Sequence, residues 1–305
     1  MNKQELTKAI LEEKKKRNIT ILAHTYQSPE ILEIDDVTGD SYALSVAATK
    51  LDTDTVLMCG VRFMAETVKI LSPEKRVILS HKKAGCPMAE QLTPEMITDY
   101  KKDHPNTTVV AYINTTAQLK AVCDVCVTSS SAVRIVEKLP GEDILFIPDQ
   151  NLGAFVAKQV QDKNIHLMNG CCPTHHRIMA EDILKMKAKH PNAKVAMHPE
   201  CRPEAVALAD YVGATSGIIK YIMDTDDEVI IATERGVYDY IHYKHPDKKI
   251  YQLCPDKLTC VNMKYTTLQG VYDAITGSGG CDIEMDEELR LLAKRPIDNM
   301  LKYGG

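Results

Sequence analysis

Three cysteines, Cys86, Cys172 and Cys260, stand 86 and 88 residues apart, and a thiolate from each could share one metal centre. A zinc site wants four nitrogen or sulfur donors, often supplied as CxxC pairs. The one CxxC here, Cys123-Asp124-Val125-Cys126, has no second pair, and no CxxxCxxC cluster of the common radical type occurs. Three thiolates with no obvious fourth suit an iron–sulfur cluster with one iron left open, able to act as a Lewis acid on a substrate oxygen. Cys171 competes with Cys172 for the middle position, and spacing alone cannot separate neighbours. The bland reading of the others, Cys59, Cys201, Cys254 and Cys281 among them, is buried small apolar residues.

The cysteines close three copies of a degenerate repeat. An apolar run ends in His24-Thr25-Tyr26, in Tyr112-Ile113-Asn114 and in His198-Pro199-Glu200, at intervals of 88 and 86 residues. A hydroxyl-rich segment follows each: Thr38-Gly39-Asp40-Ser41, Thr128-Ser129-Ser130 and Ala214-Thr215-Ser216. Polar groups at the ends of buried strands are costly unless partnered. Hydroxyls at helix N-termini are ordinarily caps, yet they also suit the binding of phosphate or carboxylate. Six strand-end polar residues at corresponding positions shift the balance toward function, whereas the hydroxyl segments on these grounds alone still read as caps.

The elements that must position these residues follow from periodicity. Each copy reads as strand, loop, helix, strand, loop, helix, strand. The first gives strands Ile19–Ala23, Thr55–Cys59 and Arg76–Leu79 with helices Tyr42–Lys50 and Met64–Leu71. The second gives strands Thr108–Ala111, Asp143–Ile147 and Ile165–Met168 with helices Ala132–Lys138 and Gly153–Gln161. The third gives strands Lys194–Met197, Glu228–Ala232 and Lys249–Leu253 with helices Ser216–Met223 and Gly236–Tyr243. Such alternation predicts an α/β fold: three homologous three-layer αβα modules with parallel sheets, arranged with pseudo-threefold symmetry around a central site. The expected spans are 1–87 plus 270–305, 88–173 and 174–269. The helix Lys3–Arg17 and the tail, with its acidic helix Asp286–Ala293, are expected to pack on the first module. Ligands of such sheets bind beyond the carboxyl ends of the strands, where the tripeptides and cysteines fall.

Composition narrows the function classes. The 305 residues are 44% hydrophobic and 26% charged, with a net charge of −5, which gives no sign of a nucleic-acid surface. Met1 precedes a polar, lysine-rich segment, and no apolar stretch reaches membrane-span length. The expectation is a cytoplasmic protein without membrane or nucleic-acid partners, whose ten cysteines do not form structural disulfides.

Together, His24-Thr25-Tyr26, Gly39-Asp40-Ser41, Cys86-Pro87-Met88, Tyr112-Ile113-Asn114-Thr115, Thr128-Ser129-Ser130, Gly170-Cys171-Cys172-Pro173-Thr174-His175, His198-Pro199-Glu200-Cys201 and Cys260-Val261-Asn262-Met263-Lys264 resemble the quinolinate synthase family, the A protein of de novo NAD biosynthesis. The resemblance runs to Arg295-Pro296-Ile297-Asp298 in the tail. It implies condensation of iminoaspartate with dihydroxyacetone phosphate to quinolinate, with loss of phosphate and two waters, and a functional link to an enzyme that makes iminoaspartate. It also implies a 4Fe-4S cluster on Cys86, Cys172 and Cys260, because the family's G-x-C-x-x-H pattern falls on Gly170, Cys172 and His175. By the same resemblance His24, Ser41, Tyr112, Asn114, Ser129, His198, Glu200 and Thr215 bind substrate. Tyr26 and Glu200 are the acid–base candidates, with His198 in support. Lys264 is read either as an anion partner or as a solvated lysine, and Arg62 and Glu66 as structural. Ala214 departs from the family's usual serine, and the C-terminal CxxC of some members is missing. Two other readings use the same cysteines: a diphthamide-type radical enzyme and a non-enzymatic iron–sulfur redox sensor.

Overall fold

A computed structural model describes residues 1–304. It is an α/β structure with three sheets, each dominated by parallel strands and flanked by helices. The first sheet orders its strands Val37–Gly39, Ile19–His24, Thr55–Cys59, Arg76–Leu79, with Cys281–Asp282 added antiparallel at the far edge. The second runs Val125–Val127, Thr108–Tyr112, Asp143–Ile147, Asn164–Leu167. The third runs Tyr211–Val212, Lys194–Met197, Val229–Ala232, Ile250–Gln252. The same strand order therefore recurs three times. The central strands are apolar runs because helices cover both faces; Ile19–His24 is buried at every position.

Two polar devices recur with the fold. An aspartate just before the short edge strand accepts a backbone N–H from the neighbouring strand: Asp36 from Ile21, Asp124 from Val109 and Asp210 from Val195, each at 2.8 Å. A lysine from the preceding helix reaches the same carboxylate, namely Lys14, Lys101 and Lys187. Just ahead of the last parallel strand, Lys75, Lys163 and Lys248 each donate to two carbonyls that precede the neighbouring strand: Leu51 and Thr53, Leu139 and Gly141, Met223 and Thr225. A hydrogen bond involving a charged group contributes about 1.5–3 kcal/mol, so these clasps explain how strands of two or three residues persist.

The chain divides into two compact units. One comprises Met1–Cys86 and Cys260–Arg290; the other comprises Pro87–Thr259 and the chain from Leu291 onward. The first holds one sheet and the second holds two. Within the first, the helix Lys3–Lys16 packs on the helix Leu268–Thr276, and Arg76 pairs with Asp282 at 2.8 Å. The tail helix departs from expectation. It runs Glu287–Gly304, beyond Pro296, and from Leu291 it belongs to the second unit. There Arg295 and Asn299 donate to the carbonyls of Cys123 and Asp124, while Ala293, Pro296, Ile297 and Met300 bury its apolar stripe. No helix among the described residues is long and apolar enough to cross a membrane.

Candidate active site

The residues singled out in sequence lie at the carboxyl ends of their sheets. In the first unit, His24 closes its strand and is buried. Its Nδ1 accepts the Tyr26 N–H at 3.1 Å, and the two rings meet edge to face with centroids 4.5 Å apart. The same turn is tied to the segment after Cys260: Lys264 Nζ donates to the Tyr26 carbonyl, and the buried Gln27 amide donates to the Met263 carbonyl at 3.0 Å. Lys264 is therefore not simply a solvated lysine. Ser41 opens the helix Ser41–Ala48, whose N-cap is Asp40.

The second unit carries a buried polar network. Its centre is Glu200, 3% exposed. Its Oε2 lies 2.7 Å from His175 Nδ1, and it also accepts a bond from Tyr112. An ionised carboxylate only accepts, so His175 carries its proton on Nδ1, and Nε2 accepts from the Thr233 hydroxyl at 3.0 Å. The His198 ring stacks on His175 at 4.7 Å, with its Nδ1 3.9 Å from Glu200. Burial pushes His198 down to about 4, against the pull of Glu200, so its ring is neutral at pH 7. Burial alone would raise Glu200, but the two histidines and the Tyr112 bond outweigh it and hold the carboxyl well below its usual range.

Asn151 and Asp149 brace this network. Asn151 Nδ2 donates to the Glu200 carbonyl at 2.9 Å. Asp149, fully buried, caps the helix Gln150–Gln159 through the N–H groups of Asn151 and Leu152, and accepts the Cys172 N–H at 2.6 Å. Burial and the charge of Glu200 push Asp149 up to about 7 despite those donors. Beside it, the Gln91 amide accepts from the N–H of Cys171 at 2.8 Å and donates to its carbonyl.

Asn114 follows Tyr112 in the turn after its strand. Ser129 lies in a hydroxyl cluster in which Thr128 meets Ser130 and Ser131. Thr215 opens the helix Thr215–Asp224, where Ala214 holds the N-cap position and offers no side-chain bond. Sequence reasoning did not single out Asp149, Asn151, Thr233 or Lys120. For Asp149, Asn151 and Thr233 the signal was a polar residue shortly after an apolar strand; Lys120, inside the helix Ala117–Ala121, carried none.

The donor set suits an iron–sulfur cluster better than a closed ion site. The donor atoms of Cys172, His175 and Glu200 lie within 4.8 Å of one another, but both His175 nitrogens are already engaged. Cys59, Cys123, Cys126 and Cys201 are buried, and burial pushes each of their thiols up, so they stay protonated and poor as ligands. Cys86, Cys172 and Cys260 are partly exposed, as are Cys171, Cys254 and Cys281. Cys86 and Cys260 belong to one compact unit and Cys172 to the other.

Comparison with known proteins agrees with these motifs. The family model described as quinolinate synthetase A protein matches residues 8–302. A protein of Caldicellulosiruptor bescii named quinolinate synthase is 46% identical over 305 residues, the full length of both chains. Relatives of the same name from Alkaliphilus metalliredigens and Clostridioides difficile are each 44% identical, over 99% and 98% of both chains respectively.

Proposed function

The chain belongs to the quinolinate synthase family, and from that premise we propose that it condenses iminoaspartate with dihydroxyacetone phosphate. The products are quinolinate, phosphate and two waters. Cys86, Cys172 and Cys260 hold a 4Fe-4S cluster in this reading. When bound, the cluster supplies a Lewis-acid iron that no protein side chain occupies.

The chain's own residues supply binding and proton transfer. Two carboxylates and a phosphate need many donors; Ser41, Ser129 and Thr215, with His24, Tyr112 and Asn114, provide them in this reading. Ser41 and Thr215 open helices, where backbone N–H groups and the helix dipole favour anions. Glu200, held ionised, is the base that removes a carbon-bound proton, and Tyr26 is its acid counterpart. His175 and Tyr112 keep the Glu200 carboxylate oriented, while neutral His198 presents a nitrogen to the substrate without repelling it as a cation would. The observation that carries the reading is this buried, ionised Glu200 beside Cys172.

Its test is an anaerobic assay of iron-loaded protein with both substrates. Quinolinate and phosphate should form in equal amounts. Iron-loaded protein that forms neither would overturn the reading.

A further inference from the structure

The turn after each first strand is pinned by a nitrogen donor that the proposed chemistry does not use. Lys264 holds the Tyr26 carbonyl and Asn151 holds the Glu200 carbonyl. In the second module the pin is Lys120, whose side chain is fully buried. Its Nζ donates to the carbonyl of Ile113 at 2.8 Å and to that of Thr115. Those two carbonyls flank Asn114.

We propose that Lys120 is a positioning residue that fixes the Ile113-Asn114-Thr115 peptides, so that the Asn114 amide is presented to a carboxylate of the substrate. The proposal rests on the reading that Asn114 binds substrate. A buried ammonium is costly, and an apolar side chain of the same length would pack here without that cost. The geometry returns something specific for it. Ammonium is a compact charge with three donors, and it can hold two carbonyls that a neutral amide of shorter reach cannot hold together.

The surroundings support this use. Lys120 lies in the short helix Ala117–Ala121, which Thr116 caps by accepting the Leu119 N–H. Thr115 donates its hydroxyl to the Tyr112 carbonyl at 3.1 Å. The turn is thus held at Tyr112, Ile113 and Thr115, and Asn114, only partly buried, is left as the side chain free to meet a ligand. A tightly held turn presents an amide with little rotamer or backbone entropy left to lose on binding.

The test uses full-length, iron-loaded protein carrying Lys120→Met, Asn114→Ala or both. Losing both pins should raise KM for the dicarboxylate substrate about tenfold or more, with iron content unchanged. Because the lysine acts through Asn114, the double variant should be no worse than Asn114→Ala; additive losses would overturn the proposal. If Lys120→Met fails to fold, hydrogen exchange on the wild type decides. The 112–116 peptide should be as protected as the strand Thr108–Tyr112, and complete exchange within seconds would overturn it. Should Asn114→Ala leave quinolinate binding unaltered by calorimetry, the substrate reading of Asn114 falls while exchange still judges Lys120.

Discussion

Glu200 Oε2 lies 2.7 Å from His175 Nδ1, with both side chains almost wholly buried. The pair joins the helix after Cys172 to the strand-end tripeptide of the third sheet. It couples the segment bearing the proposed cluster ligand Cys172 to the residue proposed as base. Thr233 behind His175 and Asn151 beneath Glu200 leave neither partner free to turn.

The pair makes Glu200→Gln informative. An amide keeps the shape but places N–H donors or a weaker acceptor against His175 and Tyr112. Quinolinate formation should fall by about 10²–10⁴-fold, as for loss of a general base. Stability should fall by about 1–3 kcal/mol, the cost of leaving buried donors unsatisfied. Steady-state rates beside denaturant midpoints check both.

His198 predicts a pH dependence of stability. Its folded pKa, about 4, lies below its unfolded value of 6.5. Between these values the unfolded chain binds more protons, so stability from this residue rises with pH through the window and is lost as pH falls from 6.5 toward 4. His198→Asn should flatten the difference between urea midpoints at pH 7 and pH 5. An unaltered difference would show that His198 does not titrate this way.

Ala214 stands at the N-cap of Thr215–Asp224 with no side chain to accept a helix N–H. Restoring serine should raise stability by about 1 kcal/mol. Thermal unfolding of Ala214→Ser checks it, with an upward shift in Tm expected.

The sequence reading was sharpest where burial is greatest. Thr55–Cys59, Arg76–Leu79, Asp143–Ile147 and Lys194–Met197 match the observed strands to the residue, because a parallel strand covered on both faces must be a continuous apolar run. The edge strands Val37–Gly39, Val125–Val127 and Tyr211–Val212 were not read. Two or three residues carry no periodicity, and these strands depend on the aspartate clasp before them. The tail helix was read as Asp286–Ala293, yet it continues through Pro296 because its apolar stripe is buried on both sides of the proline. Glu200 was legible as a strand-end carboxylate, but its bond to His175, 25 residues away in sequence, was not, nor was the bond from His175 to Thr233, which follows another strand. Lys120 resembled any helical lysine; only the fold shows it buried under Asn114.

The most direct test of the central claim is the iron and sulfide content of anaerobically reconstituted Cys172→Ser, measured beside Cys171→Ser. Cys172→Ser should lose the cluster and Cys171→Ser should retain it. Retention in Cys172→Ser with loss in Cys171→Ser would contradict the ligand set on which this account rests.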